Sequence, residues 1–137
     1  MNKGKGTVGA VKALAIVVVA GMGLGAALPK TQLALVMGKI VLDYKGIQKN
    51  LEDPAKADQV ITLARDLKEQ ALKARDLVPT KITGNATEFA AYQVKIDELV
   101  KETVDLEAAV QAKDVVAARA VVDRMTTTRN EGHERFK

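Results

Sequence analysis

The sequence predicts an all-α protein: an antiparallel up-down-up-down four-helix bundle preceded by an N-terminal signal segment. Three observations carry this. Apolar residues make up 47% of the chain and aromatics only 3%. With Ala, Val, Leu, Lys, Glu and Asp dominant, that mix suits helices far better than a β-sandwich. Four stretches repeat apolar positions at spacings of three and four, the period of a helix with one buried face. Short segments with Pro or capping residues separate them.

Residues 1–27 read as a secretory signal. Lys3, Lys5 and Lys12 form a basic start, Ala13 to Ala20 a short apolar run, and Gly25 and Ala27 a small-residue cleavage site. An uncleaved membrane anchor is the alternative. Lys12 and Lys30 bracket 17 uncharged residues, near the lower limit for a span, and Gly21, Gly23 and Gly25 weaken it as a helix. Either way residues 28–137 form an exported domain, expected in the periplasm. With the signal removed, no stable membrane association is expected.

The first helix is expected from about Thr31 to Leu51. Leu33, Met37, Ile40, Tyr44, Ile47 and Leu51 form its seam, with Lys39, Asp43, Lys45 and Lys49 off it. Asp53-Pro54 supplies an N-cap oxygen and a proline tolerated at the first helical position. The second helix then runs from Pro54 to about Leu77, with Val60, Leu63, Leu67, Ala71, Ala74 and Leu77 inward.

Val78 to Asn85 is the longest loop, marked by Pro79 and Gly84. Asn85 with Glu88 has the spacing of a capping box. A third helix is expected from about Ala86 to Gln111, its seam including Phe89, Tyr92, Ile96, Leu99, Thr103 and Leu106. A tight turn leads to a fourth helix, about Asp114 to Arg135, capped by Asp114. Its seam runs Val115, Ala118, Val122, Met125, Arg129 and then Gly132 or His133.

The topology has a functional consequence. In an up-down-up-down bundle the start of helix one, the end of helix two, the start of helix three and the end of helix four share a pole. Met37, His133 (the only histidine), Phe89, Tyr92 and Phe136 therefore gather there. Tyr44 lies about 10 Å further in at the helical rise. Aromatics concentrated at one pole suit a flat hydrophobic ligand.

Composition excludes other chemistries. No cysteine is present, so disulfides, iron–sulfur clusters, thiolate zinc sites and CxxCH haem attachment are ruled out. Without the three lysines of residues 1–27, 18 basic residues face 17 acidic ones. Such a balance gives no electrostatic reason to bind nucleic acid. The seams lack the paired Glu and Glu-x-x-His motifs of a di-iron bundle. No phosphate-binding glycine loop or catalytic constellation is found, so no enzymatic activity is expected.

The tail TTTRNEGH (residues 126–133) resembles the C-terminal motif of the cytochrome b562 family, four-helix haem proteins of the bacterial periplasm. The match is strongest at Thr127, Thr128, Arg129, Asn130 and His133. In helix one, VMGKIVLDYKGIQK (residues 36–49) resembles the segment carrying the family's axial methionine. The resemblance spans nearly all of residues 28–137 and is weakest in helix three.

It implies one non-covalent haem b (iron protoporphyrin IX) per chain, with Met37 and His133 as axial ligands. Thioether and imidazole together favour ferrous iron relative to two nitrogen donors, and they leave no open site for O₂. That is electron-transfer chemistry. The resemblance places Arg129 beside the haem, Arg135 or Lys137 near a propionate, and Tyr92, Ile96 and Phe89 along the cavity wall. Two positions depart from it. Gly132 stands where the family's best-known member has a bulky residue, and Glu131 adds a negative charge.

Blander roles stand beside these. His133 in a last helical turn suits a surface residue whose cationic form the helix C-terminus favours. Met37 suits core filling. Met125 is a rival sulfur, but lies two turns below His133 on the same helix. Arg129 on a seam suits a salt bridge to a neighbouring helix as well as a haem contact. A haem-free periplasmic binding or stress-adaptor bundle is the alternative function, and a membrane-tethered cytochrome a third. The chain is expected to be a monomer that exchanges electrons with a redox partner protein.

Overall fold

The computed structural model describes residues 31–137, so the expected signal segment, residues 1–27, lies outside the described residues. Four helices follow in order: α1 (Gln32–Asn50), α2 (Ala57–Arg75), α3 (Ala86–Gln111) and α4 (Val115–Phe136). Among the described residues no strand occurs. No helix among them is long and apolar enough to cross a membrane.

Local chemistry sets the boundaries. Thr31 caps α1, its side chain accepting from the Ala34 N–H at 3.1 Å. Asp53 accepts from the Ala55 N–H at 3.0 Å. However, Pro54–Lys56 forms a 3₁₀ turn, so the α-helix starts at Ala57 and stops at Arg75, shorter at both ends than expected. Proline offers no N–H there and tightens the first turn. Asn85 accepts from the Glu88 N–H at 3.0 Å. Only that half of the capping box forms, because the Glu88 carboxylate is taken by Arg135 of α4 at 2.8 and 3.0 Å. Asp114 caps α4 through the Ala117 N–H at 3.0 Å.

Each helix packs on its sequence neighbour: α1 on α2, α2 on α3, α3 on α4. α1 and α4, which close the ring, approach more sparsely. Two apolar clusters fill the interior. One joins Val36 of α1, Ala71 and Ala74 of α2, Tyr92 and Ile96 of α3 and Phe136 of α4. Those residues come from the start, end, start and end of the helices, as antiparallel topology requires. The other, at the far pole, centres on Ile47, Leu67, Leu106 and Met125, all fully buried.

The inward face of α1 is rotated from the expected seam. Val36, Asp43, Tyr44, Ile47 and Asn50 are buried, while Met37 and Ile40 are only half-buried. Asp43, expected off the seam, is 8% exposed, and its Oδ2 has no hydrogen-bond partner among the described residues. The rotation follows from α1 leaning on α2 while its flank toward α4 stays open. The close approach of α1 to α2 is visible at Gly46, where a Cβ would come within 2.8 Å of Leu63 Cδ1.

Candidate functional site

The open flank of α1 borders a cleft of about 500 Å³ at the pole where the chain ends. α1 lines it with Leu33, Met37, Ile40 and Val41, α4 with Arg129, Gly132, His133 and Phe136. Tyr92, Ile96 and Leu99 of α3 form its back wall, Leu67 and Met125 its floor. Helical spacing explains the grouping. Leu33, Met37 and Val41 are successive i, i+4 positions, as are Arg129 and His133.

Of the residues expected at a site, Met37, His133, Arg129, Tyr92 and Ile96 all line this cleft. Phe89 does not. It stands behind Tyr92, with ring centroids 6.0 Å apart and planes at 17°. Phe136 meets the Tyr92 ring edge-on at 5.6 Å. The Tyr92 hydroxyl donates to the Ala74 carbonyl at 2.6 Å, and burial pushes its pKa up to about 12. That bond anchors the back wall to α2.

Arg129 is exposed rather than buried on the seam. Thr128, one residue earlier, takes the inward position and donates to Glu102 at 2.7 Å. Among the described residues the Arg129 guanidinium bonds only the neighbouring Asn130 Oδ1, at 3.2 Å. The interhelical salt bridge that was the alternative to a haem contact is therefore not made among the described residues, and the cation is left at the cleft.

His133 is half-buried, and among the described residues its imidazole has no hydrogen-bond partner. Burial lowers its pKa, and repulsion from Lys137 and Arg129 lowers it further. These effects oppose the helix C-terminus, which favours the cation. Burial and repulsion both favour the neutral ring, the form that binds metals.

The rim is one-sided in charge. Lys81, Lys95, Arg129 and Lys137 border the cleft, and among the described residues no Asp or Glu does. Lys95 is tied to Glu98 at 3.0 Å and Glu131 at 2.9 Å. The Glu131 charge, a departure in the tail motif, is thus met by a lysine. Gly132 lies inside a helix that runs on to Phe136. Arg135, one of two expected partners for a ligand acid, is engaged by Glu88, while Lys137 lines the cleft. Lys81 and Lys95 were not anticipated. Lys81 lies in the long loop and Lys95 on a flank of α3, and neither position carries a periodic signal.

An apolar slot with a cationic rim suits a flat hydrophobic molecule that bears acids at one edge. Among the described residues no group of three or more His, Cys, Asp or Glu could hold a bare metal ion. One sulfur and one imidazole suffice only for a metal whose remaining ligands come from its own macrocycle. The residues present therefore fit haem.

A larger concavity of about 750 Å³ lies at the far pole, between residues such as Leu51, Pro54, Val60, Val110 and Val115. It has neither histidine nor methionine.

The sequence matches a family model, cytochrome b562, over residues 32–137. No curated protein matches the chain.

Proposed function

The chain belongs to the cytochrome b562 family of haem-binding electron-transfer bundles, and on that premise we propose that it is a periplasmic one-electron carrier holding one non-covalent haem b. Met37 and His133 are the axial ligands in this reading. The observation that carries it is their joint placement on one apolar cleft, where burial favours the neutral imidazole.

Haem supplies a one-electron iron couple. The chain's part is to hold and tune it. Tyr92, Ile96 and Leu99 exclude water from one side, Leu33 and Val41 from the other. Exclusion of water and a thioether ligand both favour the reduced, less charged iron and so raise the potential. Lys81, Arg129 and Lys137 offer charge to the propionates. With Met37 and His133 both holding the iron, no site would remain for O₂, and the protein would carry electrons rather than act on O₂.

Export of residues 28–137 after removal of residues 1–27 completes the proposal. Titration of the protein with haem, followed by visible absorption, tests it. One equivalent should give sharp low-spin Soret and α bands on reduction. Protein that stays colourless after haem addition would refute the carrier and favour a haem-free binding bundle.

A further inference from the structure

α3 carries a second apolar seam, on the side away from the core. Ala90, Val94, Asp97, Lys101, Val104 and Ala108 follow at spacings of four, three, four, three and four, and all six are exposed. Val94 is 58% exposed and Val104 48%. Four of the six are apolar, and apolar residues at a 3.5-residue period on an outward face fit a coiled-coil contact. Tyr92, Ile96 and Leu99, which line the cleft, leave α3 on its other side.

The seam is also self-complementary. Ala90 and Ala108, Val94 and Val104, and Asp97 and Lys101 are pairs equidistant from residue 99. We propose that this face is a homodimer interface, in which α3 packs antiparallel on α3 of a second copy across a two-fold axis. Val94 then meets the second copy's Val104, Ala90 its Ala108, and Asp97 its Lys101, each contact occurring twice as an isologous interface demands. A parallel pairing would instead set Asp97 on Asp97 and Lys101 on Lys101, so charge selects the antiparallel arrangement.

The ion pairs already present leave room for this. Asp97 holds Arg75 of α2 at 2.7 Å yet remains 52% exposed. Lys101 holds Asp105 at 3.0 Å and remains 75% exposed. Glu98, beside the axis, is paired with Lys95, which it shares with Glu131. From Ala90 to Ala108 the contact runs about 27 Å along the helix. Ala and Val make small knobs, so the dimer is weak and concentration-dependent. Both clefts stay open in it, because they lie toward α1 and α4.

Sedimentation equilibrium of the protein from about 10 μM to about 1 mM tests the proposal. The mass should rise from one chain toward two. Val94→Glu should hold it at one chain throughout. Asp97→Lys and Lys101→Asp should each weaken dimerisation about tenfold or more, and the double exchange should restore it. Circular dichroism melts of each variant check that the bundle itself remains folded. A monomer at every concentration overturns the proposal and leaves the face to a different protein or to residues 1–30. A dimer indifferent to Val94→Glu overturns it too, and failure of the double exchange overturns the antiparallel register.

Discussion

Tyr44 of α1 and Thr126 of α4 are joined by a hydrogen bond across the helix pair that closes the ring. Its direction follows from its neighbours. The Thr126 hydroxyl donates to the Val122 carbonyl at 3.0 Å, so Tyr44 donates to Thr126 and itself accepts from Gln48 Nε2 at 3.0 Å. On one side of this chain of bonds lies the close-packed cluster around Ile47 and Leu67. On the other the cleft begins, and Tyr44 borders it. The bond is the latch of the α1–α4 seam.

Tyr44→Phe should remove the latch while keeping the ring. A net loss of about 1 kcal/mol is expected, lowering Tm by roughly 4–8 °C. Haem release, followed by transfer to a scavenging globin, should quicken in the variant. Unchanged release with a lowered Tm would show that the seam does not gate the cleft.

Met37→Ala and His133→Ala should each abolish the reduced low-spin spectrum and leave the helices intact. Both side chains are only half-buried, so neither removal opens a large core cavity. Circular dichroism of the haem-free variants should match the parent. Haem affinity should fall by about tenfold or more in each. Retention of the parent spectrum in either variant would displace that residue from the ligand pair.

Stability should fall as the pH rises. Burial lifts the Asp43 carboxyl to about 7, helped by the neighbouring Asp66 carboxylate, against the pull of Lys39. In the unfolded chain it titrates near 4. The folded state therefore keeps a proton that the unfolded state gives up. Its contribution is full below about pH 4 and is lost as the pH climbs through 7. Between about pH 5 and pH 8 the loss should be about 2–3 kcal/mol. The lowered pKa of His133 acts in the opposite sense. Asp43→Asn should flatten the profile, and urea unfolding of both proteins at the two pH values checks this.

Two glycines of the cleft offer a contrast between stability and binding. A Cβ at Gly38 meets nothing within 4 Å, and one at Gly132 meets only Lys95 Cγ at 3.4 Å. Gly38→Ala and Gly132→Ala should each stabilise the haem-free bundle by about 0.5–1 kcal/mol, since glycine weakens a helix interior. Both glycines line the cleft, so the added bulk should lower haem affinity even as Tm rises. Tighter haem binding in either variant would contradict this placement of the ligand.

Much of the fold was legible in the chain. Capping at Asn85 and Asp114 and the three–four spacing of α3 and α4 are local, and local rules read them within a residue or so. The gathering of Met37, His133 and Tyr92 followed from topology alone, since alternating helix directions leave little choice of pole. Phe89 shares that pole too, but not the cavity wall that the resemblance implied for it, because sharing a pole does not decide which ring faces a cleft and which stands behind it.

What the sequence by itself determined was periodicity: how many helices, where they turn, and which pole collects the imidazole, the thioether and the aromatic rings. Rotation was left to the tertiary structure. A helix seam spans more than one neighbour, so only the packed bundle decides that α1 leans on α2, burying Asp43 and leaving Met37 at an open slot. A separate rotation, of α4, sets Thr128 inward and Arg129 at the rim. Repeats of three and four define a face to within a residue's width, about 100°, and that width separates a buried core position from the wall of a binding site.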